Sequence, residues 1–167
     1  MSFIETERLI LRTWMHSDVD AVLELVSDAD VMRYVTGSTG GRDEAAAWID
    51  RDIEEQDREG FSVWPVVRRS DGRIIGRCGL HRMADGRIEV AWIFERAVWG
   101  EGYATEAARA VLDYARDVAH LRGLVALIDP RNRASVSVAH RLGLAFDRVV
   151  RAYKRDMLRY RVDDPRP

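Results

Sequence analysis

Two Asp-Gly pairs punctuate the middle of the chain and fix how it must run. Ser70-Asp71-Gly72 joins the strand-rich run Phe61 to Arg69 to the run Arg73 to Met83, and Ala84-Asp85-Gly86 joins that run to Arg87 to Phe94. Asp-Gly supplies the backbone a tight hairpin loop needs, so the three runs form an antiparallel meander. Directly after it, Val98-Trp99-Gly100-Glu101-Gly102-Tyr103-Ala104-Thr105-Glu106 leads from an apolar run into an amphipathic helix. Two glycines thus sit where backbone amides converge on a helix N-terminus. The open first-turn N–H groups and the macrodipole favour an anion there by about 0.3–2 kcal/mol per contact, and glycine lets an oxygen-rich ligand approach closely. A cofactor pyrophosphate is the anion this suggests. The plain alternative is that Gly100 ends one element and Gly102 eases the start of the next.

What the bend lacks narrows the cofactor. A dinucleotide fingerprint needs a further glycine where Thr105 stands, and no suitable strand and helix unit precedes the bend, which argues against a nicotinamide or flavin oxidoreductase. No Gly-Lys-Ser or Gly-Lys-Thr occurs, so the lysine and hydroxyl of a phosphate-loop nucleotidase are missing.

The remaining pattern is mixed α/β. Glu7 to Trp14 alternates as a strand, with Leu9 and Leu11 on one face and Arg8 and Arg12 on the other. Ser17 and Asp18 precede a short helix carrying Val22, Leu25 and Val26, which stops near Ser27 to Asp30. The run Thr36 to Gly41 is a loop, either a shaper of a substrate mouth or a plain connector, and Arg42 to Glu59 is a helix with Ala45, Trp48, Ile49 and Ile53 on one face. After the bend, Ala104, Ala107, Ala108, Val111, Leu112 and Ala115 form a small-residue face against the sheet, with Glu106, Arg109, Asp113 and Arg116 in solvent. Gly123 to Ile128 reads as a short buried strand and Ala134 to Leu142 as a helix. Leu144 to Val150 and Tyr153 to Val162 read as a last hairpin. No repeat or composition break divides residues 1–167, so a single domain is expected, with 163–167 as a frayed tail.

Composition bounds the partners. The chain has 167 residues, enough to bury a core without metal or disulfide help. Its 26 Lys and Arg against 28 Asp and Glu give a net charge of -2 with no polybasic footprint for nucleic acid or membrane. The single cysteine, Cys78, has no internal partner, which favours a reducing, cytoplasmic setting. No signal segment and no apolar run long enough to span a membrane is present.

The bend resembles the acetyl-CoA loop of the GNAT superfamily of N-acetyltransferases. More narrowly, Trp99 to Ala107 is similar to the branch that contains the ribosomal-protein N-terminal alanine acetyltransferases, the RimJ/RimL-like branch. The resemblance extends to Glu5 to Arg12, Ile75 to Leu80, Asn132 to Ser135 and Leu142-Gly143. It implies a three-layer fold whose central sheet, about seven mostly antiparallel strands, splays around an acyl-CoA site. One departure is Ala97, where the family has Arg or Gln beside the pyrophosphate.

From that resemblance, Val98, Trp99, Gly100, Glu101, Gly102, Tyr103, Ala104 and Thr105 are expected to cradle the diphosphate of acetyl-CoA. The backbone of Ile93 and Phe94 would meet the pantetheine arm, and Arg141 a phosphate or simply solvent. Asn132 would bond pantetheine or simply cap a helix, and Ser135 would lie near the sulfur and protonate the departing thiolate or simply bond backbone. For the general base, which this family does not keep at one position, the candidates are Glu89, His81 and Asp156. Tyr153, Asp156 and Tyr160 are expected along the acceptor pocket, with core packing as the alternative for Tyr160. No metal is required, and the acceptor is a primary amine, either a protein N-terminus or a small molecule. Homodimers are frequent in this branch. An α-amine is the easier acceptor: at pH 7 it costs about 1 kcal/mol to deprotonate, against about 4.6 for a lysine-like amine. A non-catalytic acyl-CoA-binding sensor is the alternative reading.

Overall fold

The computed structural model describes residues 2–162. Its elements, in chain order, are β1 (Ser2–Glu5), β2 (Leu9–Arg12), α1 (Val19–Ser27), α2 (Ala29–Met32), α3 (Arg42–Glu59), β3 (Val63–Arg68), β4 (Ile74–Arg82), β5 (Ile88–Phe94), α4 (Tyr103–Asp117), β6 (Val125–Ile128), α5 (Arg133–Arg141), β7 (Ala145–Ala152) and β8 (Arg155–Arg161). The tail expected at 163–167 lies outside the described residues.

The strands form one eight-stranded sheet in the order β1-β2-β3-β4-β5-β6-β8-β7. The meander over β3, β4 and β5 is antiparallel throughout, and Gly72 and Gly86 take the left-handed backbone its turns need, at φ +70° and +86°. The strand count exceeds the expected seven by β1. The Glu7 to Trp14 run also shortens, because Thr6 ends β1 and turns the chain: its hydroxyl takes the Leu9 N–H at 3.0 Å. The four-residue helix α2 was not read from the sequence either. It exists because the Asp28 carboxylate accepts the amides of Asp30 and Val31 at its N-terminus.

Two hydrophobic clusters make the layers. On one face, Ala107, Ala108, Val111 and Ala115 of α4 are fully buried against Leu9, Leu11, Trp64, Val66, Cys78 and Leu80. On the other, α1 and α3 enclose Trp14, Val22, Val26, Met32, Ala45, Trp48 and Ile49. Strand alternation then decides the chemistry: Cys78 and Leu80 pack toward α4, while Arg77 and His81 project toward α3.

The sheet opens at one place. Strands β5 and β6 run parallel and share a single register pair, Glu89↔Val125, whereas β4 and β5 pair at seven positions. Beyond Glu89 the two strands part, which is the splay the family resemblance implied.

Candidate active site

A cavity of about 410 Å³ lies where β5 and β6 part. Its walls come from Glu89 to Ile93 on β5, from Leu127 and Ile128 of β6 and Asp129 just after it, from Asn132 and Ser135 at α5, and from Tyr153 in the last hairpin. Trp48, Arg51 and Asp52 of α3, together with Tyr34 to Thr36, also line it; of the run Thr36 to Gly41, only Thr36 is among the lining residues.

Glu89 is the central polar group. It is 6% exposed, accepts the Tyr153 hydroxyl, and takes the amide of Leu127. Burial pushes its carboxyl up to about 7, against the pull of the Tyr153 bond and of nearby His81. His81 is its register partner on β4, so both side chains leave the same face of the sheet. Both oxygens of buried Glu55 lie 3.0 Å from His81 Nδ1, and Glu55 Oε1 takes the Arg82 amide at 2.8 Å. The Glu55 bond raises the imidazole pKa above its ordinary value. Burial would raise Glu55, but the bonds from His81 and Arg82 outweigh it and hold its carboxyl low.

Behind these groups Arg77 and Asp52 form a buried ion pair, and the Arg77 guanidinium stacks over the Trp48 indole at 4.6 Å. Burial raises the Asp52 carboxyl and lowers the Arg77 guanidinium. The sequence reading missed Asp52 and Glu55. The signal was present, since both fall one and two turns after Trp48 on the buried stripe of α3.

On α5, Asn132 accepts the Ser135 N–H at 3.1 Å, an N-cap bond, and its side chain also borders the cavity. The Ser135 hydroxyl takes the Trp92 indole N–H at 3.2 Å. Asp129, also missed, is held well below the usual carboxylate range, chiefly by Arg131 and also by Arg155. Arg155 reaches on to the Val35 carbonyl at 2.9 Å, which ties the last hairpin to the mouth loop.

The bend lies beyond Phe94, outside the cavity. Gly100 and Gly102 have φ of +81° and +84°, and a Cβ on Gly100 would meet nothing within 4 Å. The first helical bond of α4 runs from Glu106 N–H to Gly102 O, and no side chain caps the helix. Among the described residues, the amides of Tyr103, Ala104 and Thr105 therefore donate to no protein group. Val98 and Tyr103 are buried beneath the bend, and Trp99 is half-exposed with its indole N–H on the Phe94 carbonyl at 2.9 Å. Glu95 N–H bonds Ile75 O on the β4 side. Alternation then turns the main chain of Phe94 toward the opening and that of Ile93 toward β4, while the Ile93 side chain lines the cavity.

The Ile93 backbone, expected to meet pantetheine, is therefore engaged with β4, and three further expected placements differ. Asp156 is exposed in an ion pair with Arg151 on the hairpin surface and does not line the cavity, because hairpin register turns it outward. Tyr160 packs in the core against His140 and Phe146. Glu106 is not in solvent: it is tied to Thr6 and Arg8. Arg141 is exposed and outside the cavity, with its carbonyl taken by Arg109.

Comparison with known proteins gives the same picture. The family model described as an acetyltransferase (GNAT) domain matches residues 8–145. An uncharacterized N-acetyltransferase of Bacillus subtilis, YnaD, is 30% identical over 142 residues, covering 84% of this chain and 81% of that protein. The crystal structure of an acetyltransferase from Agrobacterium tumefaciens superposes with a TM-score of 0.87 at 27% identity, covering 98% of this chain and 95% of that one. In fold the chain is also similar to RimL, a ribosomal L7/L12 α-N-protein acetyltransferase solved with coenzyme A, at a TM-score of 0.79, 16% identity and 94% coverage of each chain. A family match that runs from ahead of β2 into β7, joined to a relative of the same kind over most of its length, makes this chain a member of the GNAT family and an N-acetyltransferase.

Proposed function

We propose that the protein takes its acetyl group from acetyl-CoA and passes it to a primary amine held in the cavity beside Glu89. The observation that carries this is the opening of the sheet: one register pair joins β5 to β6, and the gap lies between unpartnered amides at the bend and a buried carboxylate. The bend fits a diphosphate, since its amides lack protein partners and a Cβ on Gly100 would stand in open space. The main-chain N–H of Phe94, on the gap side, and the Asn132 side chain suit a pantetheine arm, the Phe94 carbonyl being taken by Trp99. Acetyl-CoA, when bound, supplies the acetyl group already activated as a thioester.

The chain's own residues then have to orient the amine, take its proton and protect the departing sulfur. Glu89, with a carboxyl near 7, accepts the proton at neutral pH, and His81 beside it faces the same cavity. Ser135, its hydroxyl oriented by Trp92, would hydrogen-bond the sulfur of a bound acyl donor and relay it a proton that the hydroxyl regains from solvent. The apolar walls at Trp48, Val90, Leu127 and Met157 exclude water from the reaction. The acceptor is an α-amine at a peptide N-terminus or a small amine of similarly low pKa, a reading supported by the mild base and by the fold likeness to RimL. Buried Cys78, its thiol pushed up by burial, suits a reducing cytoplasmic setting.

Thiol release from acetyl-CoA across N-terminal peptides, polyamines, amino acids and aminoglycosides tests the proposal. Turnover concentrated in peptides or low-pKa amines is expected. Absence of coenzyme binding by calorimetry, or turnover confined to high-pKa amines, would overturn the respective half of it.

A further inference from the structure

The bend has a brace that the sequence reading did not foresee. Glu106, in the first turn of α4, accepts the Thr6 hydroxyl at 2.6 Å, the Arg8 amide at 3.0 Å and Arg8 Nε at 2.6 Å. Arg8 Nη1 donates to the Glu101 carbonyl inside the bend at 3.0 Å, and its guanidinium lies 4.2 Å over the Tyr103 ring. Arg8 Nη2 stands 3.6 Å from the point a Cβ on Gly102 would occupy. The turn between β1 and β2 is thereby fastened to a loop almost a hundred residues later.

Such a brace does two things at once. It fixes the Glu101 peptide plane, and with it the direction of the neighbouring amides. It also brings a guanidinium, 40% exposed, to the edge of the bend, where Ala97 supplies no charge of its own. Glu106 alone would oppose an anion one turn away, but paired with Arg8 it holds the cation in place. We propose that Arg8 is the cation that flanks the coenzyme diphosphate in this protein, and that Glu106 and Thr6 are the residues that position it. The inference rests on the diphosphate assignment made above.

Isothermal titration with coenzyme A alone, well below the melting temperature, tests this without knowledge of the acceptor. Arg8→Gln raises the Kd about tenfold or more, and the difference from the parent shrinks from low to high salt. Glu106→Gln is the discriminating variant. If Glu106 positions Arg8, its loss weakens binding about three- to tenfold; if it is only a nearby negative charge, its loss tightens binding. Arg8→Lys, which keeps the charge but loses the fork, falls between parent and Arg8→Gln. Should Arg8→Gln or Glu106→Gln fail to fold, Arg8→Lys and Thr6→Val carry the same comparison, each expected to weaken binding by about threefold. A purely structural brace lowers the melting temperature and leaves the Kd of the folded variants within about twofold of the parent; that result, or tighter binding by Glu106→Gln, overturns the proposal. Failure of the parent protein to bind coenzyme A overturns the diphosphate assignment instead.

Discussion

Glu89 has its ordinary acidity changed by its surroundings more than by any single partner. Its folded value of about 7 stands above the usual 4.5, so the folded protein holds this proton more tightly than the unfolded chain does. Stability from that tighter hold is complete below the unfolded value and is lost as pH rises through 7. Burying the charged form therefore costs about 3 kcal/mol above that point. Activity has the opposite sign, because the proposed base works deprotonated, and kcat/KM should climb with pH and level off past about 7. Glu89→Gln should lose about a hundredfold or more in kcat, lose the inflection near 7, and melt higher than the parent at pH 8. A pH series of steady-state rates and melting curves checks both halves. Ser135→Ala should lower kcat about tenfold while leaving coenzyme affinity unchanged, as read by paired kinetics and calorimetry. Asp52→Asn would leave Arg77 buried beside Trp48 without its counter-charge and should cost about 3–5 kcal/mol in denaturant titration.

At the scale of elements, the bend and the helix it opens are the parts most dependent on particular backbone. A side chain at Gly102 meets only Arg8 Nη2 at an ordinary contact distance, so space is not the obstacle. The backbone is: φ of +84° is strained for any β-branched residue. Gly102→Val should weaken coenzyme binding about tenfold or more in the same titration, with the rest of the sheet intact. These elements were also the most legible in the sequence, because Asp-Gly turns, a glycine bend and a stripe of alanines each act locally. What escaped the sequence was long-range. The strand β1 exists by pairing with β2, and Glu106 is drawn inward by residues of the β1–β2 turn and strand. Asp52 and Glu55 are carboxylates on a stripe whose neighbours are apolar, and only Arg77 and His81, arriving from β4, make their burial sensible. Asp156 was misplaced for a simpler reason: hairpin register, which the sequence pattern did not fix, decided which way it faced.

The whole molecule is a sheet covered on both faces and interrupted at one seam. Everything assigned to chemistry gathers along it: Glu89 where β5 and β6 last touch, Ser135 and Asn132 at one margin, and the braced bend past its end. The loop before α3 and the last hairpin are linked across the mouth by Arg155, so substrate access depends on parts far apart in the chain. Filling the seam should raise stability by mass action: acetyl-CoA at a hundred times its Kd adds about 2.7 kcal/mol, and a thermal-shift series against coenzyme concentration would measure it. A sheet with one loosely stitched interval should open there first, and such an opened state is what a protease cuts. Survival of this enzyme in a cell should then follow the supply of its own acyl donor, a fall toward the Kd shortening its half-life as well as slowing its turnover.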